Sequence, residues 1–412
     1  MKKLIFILFL LCGGAVAASP HSAYGDSLEI SLLTCEPGPA IYENYGHTAM
    51  RVRTVGDSVA QPIDLVFNYG CFDFNEPHFI ERFALGLTYY MLCAIPYRFF
   101  EYEYLERGRM VWQQTLNLTD AEAQRIASAL IENARPDKRV YKYNFLYNNC
   151  TTKCRDIIED YVTGEVQWGE DSVRKTFREM LHERNMPFFV YQQLVDIYSD
   201  TALDDTTTAR EELFLPTALQ RSLSTAVISQ SGMPDRPLVR DEFVLVNPPE
   251  HVTYTRDRLY EWGILLFFIP YFIFYAFWMW KCYRRKHFGG RKLILAFDIV
   301  DILVLAIAGV MGCGVAILVF FSTHPAVTAN WQLLVFNPIQ LFVVVLWKWR
   351  RIRIYLQSLL LMFAIIFCLL VLNGYVHYCC LITMIATCLT IISSSANILR
   401  YHIENGKRDS VS

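Results

Sequence analysis

One cysteine lies where a polar turn gives way to an amphipathic helix, in the segment YNFLYNNCTTKCRDIIEDY. From Cys150 onward, apolar residues recur at i, i+4, i+7, i+8 and i+11, and charged residues fall on the other faces. This period predicts a helix that begins near Cys150. The positive end of a helix dipole lowers the pKa of a thiol in its first turn, so Cys150 is a candidate nucleophile.

A less specific interpretation of Cys150 stays open. Free cysteine is among the most buried residue types, and a small apolar side chain would also suit this position. A histidine about a hundred residues upstream favours the nucleophile.

A predicted β-hairpin carries that histidine. Residues 46–53, GHTAMRVR, alternate as a strand does, and residues 64–70, DLVFNYG, are expected to return antiparallel to them. A turn centred between residues 57 and 58 places Asn68 opposite His47, with Cβ atoms about 5 Å apart. Asn68 is therefore expected to orient the imidazole of a Cys–His nucleophilic site.

The N-terminus predicts export. Residues 1–18 combine two lysines, an apolar run and small residues at cleavage spacing, which is typical of a secretory signal peptide. The following domain then enters an oxidising compartment. Its five cysteines form no C-x-x-C, which argues against zinc and against a dense disulfide framework. A net charge of -2 does not favour a nucleic-acid partner.

Three further segments of the exported half have predicted structures. Thr119 and Glu122 form a capping box for a helix that runs to about residue 134. The aromatic run 89–104 is interpreted as core strands or a kinked helix, or alternatively as a surface that lies on the membrane or lines an acyl groove. Four prolines predict an extended linker over 231–258.

The second half of the chain predicts a membrane domain. Five apolar stretches are long enough to span a bilayer, at roughly 260–280, 293–321, 331–347, 355–373 and 376–399. The connections 322–330 and 374–375 carry no Lys or Arg, whereas the other connections are basic. The basic connections are expected in the cytoplasm, which places the C-terminus inside and the exported domain outside.

Polar residues at the outer side of the spans are candidate substrate contacts. His324, Asn330 and Asn337 could line a notch for a lipid headgroup, and a structural role in holding the loop is an equally open alternative. Asn149, beside Cys150, is a further candidate for contact with substrate. Pro338 is expected to kink the third span.

The order of the catalytic residues points to a group of enzymes. The histidine precedes the cysteine, as in circularly permuted relatives of papain such as the lecithin:retinol acyltransferases. The chain resembles the Lnb family of lipoprotein N-acyltransferases over both halves, in the segments GHTAMRV, FNYGCFDF, YNFLYNNCTTKCRD and HPAVTANWQLLVFNP. The resemblance implies that His47 and Cys150 are catalytic, whereas Asn68 rests on the hairpin geometry.

The resemblance also implies a reaction. An acyl chain would pass from a membrane phospholipid, through a Cys150 thioester, to the N-terminal amine of a diacylglyceryl-cysteine lipoprotein, with no cofactor and no metal. His47 would serve as base, and backbone N–H groups at Cys150 and its neighbours would stabilise the oxyanion.

The expected fold class is α+β: an exported, circularly permuted papain-like (NlpC/P60-like) domain, followed by a five-helix transmembrane domain in the bacterial inner membrane. The expected boundaries are a signal peptide at 1–18, the exported domain at 19–230, a linker at 231–258, the spans at 259–400 and a cytoplasmic tail at 401–412. Two alternative functions stay open. One is a membrane-tethered cysteine peptidase or amidase that acts on cell-wall peptides, and the other is a non-enzymatic sensor or assembly factor.

Overall fold

The computed structural model describes residues 27–56, 62–73, 76–169, 174–183, 189–250, 259–285, 290–376 and 380–409. The predicted signal peptide and the centre of the predicted hairpin turn lie outside these residues.

Antiparallel strands form the centre of the N-terminal domain. In chain order they are β1 (Ser27–Cys35), β2 (His47–Val55), β3 (Asp64–Cys71), β4 (Tyr89–Pro96), β5 (Val111–Leu116), β6 (Val140–Lys142), β7 (Glu165–Gln167), β8 (Val227–Ser229), β9 (Arg236–Pro237) and β10 (Val239–Val246). Seven of them form one sheet in the order β10-β5-β1-β2-β3-β4-β6, and β7-β8-β9 form a small second sheet.

Helices cover both faces of the large sheet. They are α1 (Phe79–Ala84), α2 (Tyr97–Glu106), α3 (Asp120–Asn133), α4 (Cys150–Tyr161), α5 (Phe177–Glu183), α6 (Phe189–Tyr198), α7 (Ala209–Glu212) and α8 (Pro216–Thr225), with 3-10 turns at Ile41–Glu43 and Thr201–Asp204. Met50 of β2 lies in a core with residues of α3, α4 and α8. Its neighbour Ala49 lies in a second core with residues of α2 on the opposite face. Side chains of β2 therefore alternate between the two cores, one on each face of the sheet, as expected of a strand.

The aromatic run 89–104 forms a strand and a helix. Pro96 ends β4 and is the N-cap residue of α2, so the proline divides two elements instead of kinking one. Phe100 and Tyr104 are buried beneath the sheet. This half of the run belongs to the core.

The segment 231–258 is not a linker over its whole length. Residues Val239–Val246 form β10, which pairs with β5 at the edge of the large sheet. Charged residues 240–242 face solvent at this edge, a pattern that protects edge strands from aggregation. The predicted linker is therefore wrong in this part, because the prolines flank a strand.

The C-terminal half is helical. Its helices are α9 (Leu259–Arg285), α10 (Arg291–Phe321), α11 (Ile339–Val345), α12 (Arg350–Leu372) and α13 (Leu381–Asp409). Among the described residues, four helices are long and apolar enough to span a membrane. The third expected span is broken into a 3-10 turn at Trp331–Leu334 and the short α11. The helix α13 continues through most of the predicted tail.

Pro338 causes more than the expected kink. It is the N-cap residue of α11, and the Asn337 side chain accepts a hydrogen bond from the Ile339 N–H (3.0 Å). Because proline has no N–H and the Asn337 side chain caps the next residue, a new helix starts here.

The two domains are joined by buried contacts around α6. Ile197 packs among Val315, Phe336 and other apolar residues of the membrane helices. The Asn330 side chain donates to the Ile197 carbonyl (2.8 Å). Asp200 accepts from the Ala329 N–H (2.9 Å) through its carboxylate. The loop 322–330, which was expected on the outer side, is thus in contact with the N-terminal domain.

The same contact region holds a buried arginine. Arg178 of α5 pairs with Asp196 (2.9 Å) and Asp204 (2.6 Å), and it donates to the carbonyl of Asp200 (2.9 Å). The side chains of all three aspartates are less than about one tenth exposed to solvent. The guanidinium of Arg178 therefore links buried groups of α6 to those of the turn that follows it.

Glu122 fixes α3 to its surroundings. It forms the predicted capping box with Thr119, and it also accepts from the Thr163 N–H (2.7 Å) and from Arg236 (2.5 Å). Its side chain is fully buried.

Replacing Glu122 with alanine is expected to destabilise the N-terminal domain by about 3 kcal/mol, because buried donors lose their acceptor. The midpoint of thermal unfolding of the full chain in detergent should fall by roughly 6–12 °C. Glu132→Ala on the same helix is the matched control, since Glu132 pairs with Arg135 and Lys138 in solvent. Equal shifts for the two variants would contradict the role of Glu122.

Candidate functional site

Cys150 is the first residue of α4, as the sequence predicts. Asn149 precedes it as the N-cap, and its Oδ1 accepts from the N–H groups of Thr151 (2.8 Å) and Thr152 (2.9 Å). The Thr152 hydroxyl accepts in return from the Asn149 N–H (2.8 Å). This capping box stabilises the helix start and holds the thiol at the positive end of the helix.

Asn149 lies under the helix and is buried. Its side-chain N–H groups donate to the carbonyls of Phe145 (2.7 Å) and Phe214 (3.0 Å). The sequence suggested a contact with substrate, but these bonds give Asn149 the role of holding Cys150 in position. Because Asn149 Oδ1 accepts from the N–H groups of Thr151 and Thr152, these two groups are not free to stabilise an oxyanion, whereas the N–H of Cys150 lies outside the cap.

His47, Cys150 and Asn68 meet at one end of β2 and β3. His47 Nε2 lies 3.2 Å from Asn68 Oδ1, and because an amide oxygen only accepts, Nε2 is the donor. The imidazole is also hydrogen-bonded to the Cys150 thiol. Both His47 and Cys150 are partly accessible to solvent. The three side chains have the arrangement of a cysteine nucleophile, a base and a residue that orients the base.

The expected register of the hairpin is wrong by two residues. Met50 pairs with Phe67 in the structure, and continuing this ladder places Asn68 across from Ala49 instead of His47. The contact with His47 persists because diagonal neighbours on one face of an antiparallel pair remain within reach of each other.

The pKa values of the pair favour a thiolate. Burial alone raises the pKa of the Cys150 thiol, but the charge and hydrogen bond of His47, with hydrogen bonds from the Thr48 N–H and the Thr151 side chain, lower it to about 7. Burial lowers the pKa of His47, whereas the Cys150 charge and the hydrogen bonds to Cys150 and Asn68 raise it above its usual value overall. These effects favour the thiolate form of Cys150 near neutral pH.

The sequence reasoning missed the contribution of two threonines. Thr48 Oγ1 lies 3.1 Å from Thr151 Oγ1, and the latter lies 3.8 Å from the Cys150 sulfur. Each threonine directly follows a predicted catalytic residue, and the sequence shows this adjacency. The pair joins β2 to α4 beside the thiol.

Gly70 of β3 lies beside Cys150. Its φ of +97° lies in the left-handed region, and a Cβ at this position would lie 3.8 Å from the Cβ of Cys150. The pairing of β3 with β4 has a β-bulge at this residue, between Tyr69 and Cys71. The glycine lets β3 bend away at the point where the helix start approaches.

The outer polar residues of the membrane domain bond to backbone groups. His324 Nε2 lies 2.7 Å from the Phe83 carbonyl. Asn330 is buried between its own turn and α6, and Asn337 caps α11. The structure thus places His324 and Asn330 at the contact between the two domains. Each of His324, Asn330 and Asn337 forms a hydrogen bond with the backbone, which favours the structural role for these residues.

Among the residues that the structure describes, no three His, Cys, Asp or Glu side chains are grouped in a way that could hold a metal ion. The chemistry available from the described site is that of a thiolate paired with an imidazolium.

Comparison with known proteins gives matches to both halves of the chain. A family model described as the Lnb N-terminal periplasmic domain matches residues 20–194, and one described as the Lnb transmembrane domain matches residues 289–404. No curated protein and no solved structure matches the chain. Together the two family models cover more than half of the sequence, in the order of the two folded halves. The chain therefore belongs to the Lnb family, with a periplasmic N-terminal domain and a C-terminal transmembrane domain.

Proposed function

We propose that the protein is a lipoprotein N-acyltransferase of the bacterial inner membrane. The observation that carries the proposal is the Cys150–His47–Asn68 site in a domain that is docked on membrane helices. The acyl donor is a membrane phospholipid, and the acceptor is the N-terminal amine of a diacylglyceryl-cysteine lipoprotein.

In the first half-reaction, the Cys150 thiolate attacks the carbonyl carbon of a phospholipid ester. The N–H of Cys150 donates to the oxyanion of the tetrahedral intermediate. The C–O bond to the glycerol then breaks, and His47 in its imidazolium form gives its proton to the leaving alkoxide. The products are a lysophospholipid and an acyl thioester on Cys150.

In the second half-reaction, the neutral amine of the lipoprotein attacks the thioester carbonyl. Neutral His47 takes a proton from the attacking nitrogen, the C–S bond breaks, and the thiolate is restored beside an imidazolium. The product is an amide. Asn68 keeps the imidazole oriented in both halves through its bond to Nε2.

The location of the site supports a lipid substrate. Moving one CH₂ group of an acyl chain from the bilayer into water costs about 0.8 kcal/mol, so a long chain stays in the bilayer unless an apolar surface receives it. A cell-wall peptidase would need one span as an anchor. Here α6 packs against the ends of several membrane helices, which supports chemistry at the bilayer surface.

Replacing Cys150 with alanine is expected to abolish N-acylation of lipoproteins, as read by mass spectrometry of their N-terminal peptides in cells that depend on this protein. An acyl group that hydroxylamine removes should be found on Cys150 of the wild-type chain. Cys154→Ala is the matched control, because its sulfur lies one turn further on and is buried in the core. N-acylation that survives in the Cys150 variant would show that the nucleophile is another residue.

The rate of Cys150 alkylation by iodoacetamide is expected to rise with pH through a midpoint near 7, as the thiol loses its proton. In His47→Gln the effect of burial remains and the stabilising charge is lost, so the midpoint moves to higher pH. At pH 7 the rate should fall on the order of tenfold or more. An unchanged midpoint would contradict the His47–Cys150 interaction.

Replacing Asn68 with alanine is expected to lower the rate of acyl transfer by about 10- to 100-fold, since the imidazole loses the bond that orients it. Asn68→Asp, which retains an acceptor for Nε2–H, should restore part of the rate. It should also shift upward the limb of the pH profile that His47 sets, because a carboxylate raises the pKa of His47. Equal losses in both variants without a shift in pH profile would indicate a purely structural role.

A further inference from the structure

A row of aromatic rings connects α1 to the neighbourhood of the thiol. The ring centroids of Phe83 and Phe79 lie 6.4 Å apart, those of Phe79 and Phe72 5.4 Å, and those of Phe72 and Tyr90 4.8 Å. Tyr90 and Tyr143 are stacked at 4.1 Å. We call these five residues the aromatic row. Every step of the row is a stacked pair; Tyr90 is buried, and the other four rings are at least partly exposed.

The inner end of the row lies beside the catalytic site. Burial raises the pKa of Tyr143, and the Cys150 charge raises it further, so the phenol and the thiol are electrostatic neighbours. The backbone fixes Tyr143 at this place through its N–H, which donates to the Thr88 carbonyl (3.0 Å).

The outer end of the row lies at the end of a membrane span. Ser322 directly follows α10, and the segment that it begins is bonded to the chain at α1. These hydrogen bonds are Ser322 Oγ to the Ala84 carbonyl (2.8 Å), the Thr323 N–H to the Leu85 carbonyl (3.0 Å) and His324 Nε2 to the Phe83 carbonyl (2.7 Å). Because the end of a span lies at the bilayer surface, α1 lies there too.

Gly86 makes this contact possible. Its φ is +69°, and a Cβ on it would lie 2.7 Å from Thr323 Oγ1 and 2.9 Å from the backbone nitrogen of His324. The chain at the end of α1 thus touches the membrane domain at a distance that only glycine allows.

Apolar side chains at this level face outward. Ile80 is 77 % exposed and Phe83 42 % exposed, and at the end of α10 Phe320 and Phe321 are exposed by about the same degree as Ile80. Such a patch is unfavourable in water and favourable in contact with acyl chains. Lys142 lies beside it, with its Nζ 3.3 Å from Thr323 Oγ1, which puts a cation at the level of lipid phosphates.

We propose that the aromatic row binds an acyl chain of the donor phospholipid and leads it from the bilayer surface at Phe83 to the thiol at Cys150. The inference rests on the proposed function, and it adds the place where the donor chain lies. Phe72, Phe79 and Tyr143 are partly exposed, so their rings can contact a chain that lies along the row. Phe83 is the entrance of the path, and Tyr143 is its end.

The first test puts a charge into the middle of the row. Full-length wild-type protein, Phe79→Asp and the control Phe243→Asp are reconstituted in vesicles of phosphatidylethanolamine and phosphatidylglycerol with 16- and 18-carbon chains. Phe243 is an exposed apolar residue of β10, at the opposite edge of the sheet. Acyl thioester on Cys150 is measured over time, and alkylation by iodoacetamide reports whether the thiol is still in place.

Phe79→Asp is expected to slow formation of the thioester by tenfold or more while alkylation of Cys150 proceeds as in the wild type. Phe243→Asp should behave as the wild type in both measurements. Thioester formation at the wild-type rate in Phe79→Asp would overturn the proposal.

A second test does not depend on turnover. The Cys150→Ala chain is placed in vesicles that contain a phosphatidylcholine with a diazirine at the end of one acyl chain, and is irradiated and digested with trypsin. Cross-links are expected in peptides 54–82 and 83–98, which carry Phe72, Phe79, Phe83 and Tyr90. Cross-links confined to the membrane helices would overturn the acyl path. Cross-links in the row from a wild-type chain that forms no thioester would retain the path and contradict the proposed transferase.

Discussion

The contact between the His47 imidazole and the Cys150 thiol is the interaction on which the site depends. It joins the first residue of a strand to the first residue of a helix, and these two elements are separated by about a hundred residues of chain. Burial would otherwise keep the thiol neutral, and the imidazole overcomes this effect. The capping box of Asn149, the threonine pair and the bulge at Gly70 all act on the same point, because each fixes the approach of α4 to β2.

The second constraint is the position of this site relative to the bilayer. Two separate regions of the N-terminal domain touch the outer ends of the membrane helices: α6, through apolar packing, and the end of α1, through hydrogen bonds that its backbone carbonyls accept. Two points of attachment restrict rotation of the domain far more than a single flexible connection would. A thiol held in this way has a fixed orientation relative to the bilayer, as the proposed attack on a lipid ester requires.

Strong local signals predicted much of the fold. The spacing of apolar residues predicts α4 correctly, and the capping box predicts the start of α3. Both signals depend on hydrogen bonds and apolar contacts within a few residues of each other. The strand β10 was missed because it is an edge strand with charged residues facing water and prolines at both sides. The break before α11 was underestimated, since hydropathy measures the length of an apolar stretch and is insensitive to where its backbone hydrogen bonds end. The roles of Asn149 and Asn330 depend on partners more than sixty residues away, which no local pattern reveals.

The buried network of Arg178 has a consequence for how the two halves can be handled. Arg178 donates to the backbone carbonyl of Asp200, and the Asp200 carboxylate accepts from the Ala329 N–H of the membrane domain. One set of buried polar groups is therefore shared between the two domains. Cutting the chain before α9 would leave Asp200 without this donor and would expose Ile197 and Tyr198 to water. The halves are therefore not interchangeable modules. A fragment made from the periplasmic half alone would expose the apolar surface that the membrane domain covers in the full chain, and this surface would favour aggregation.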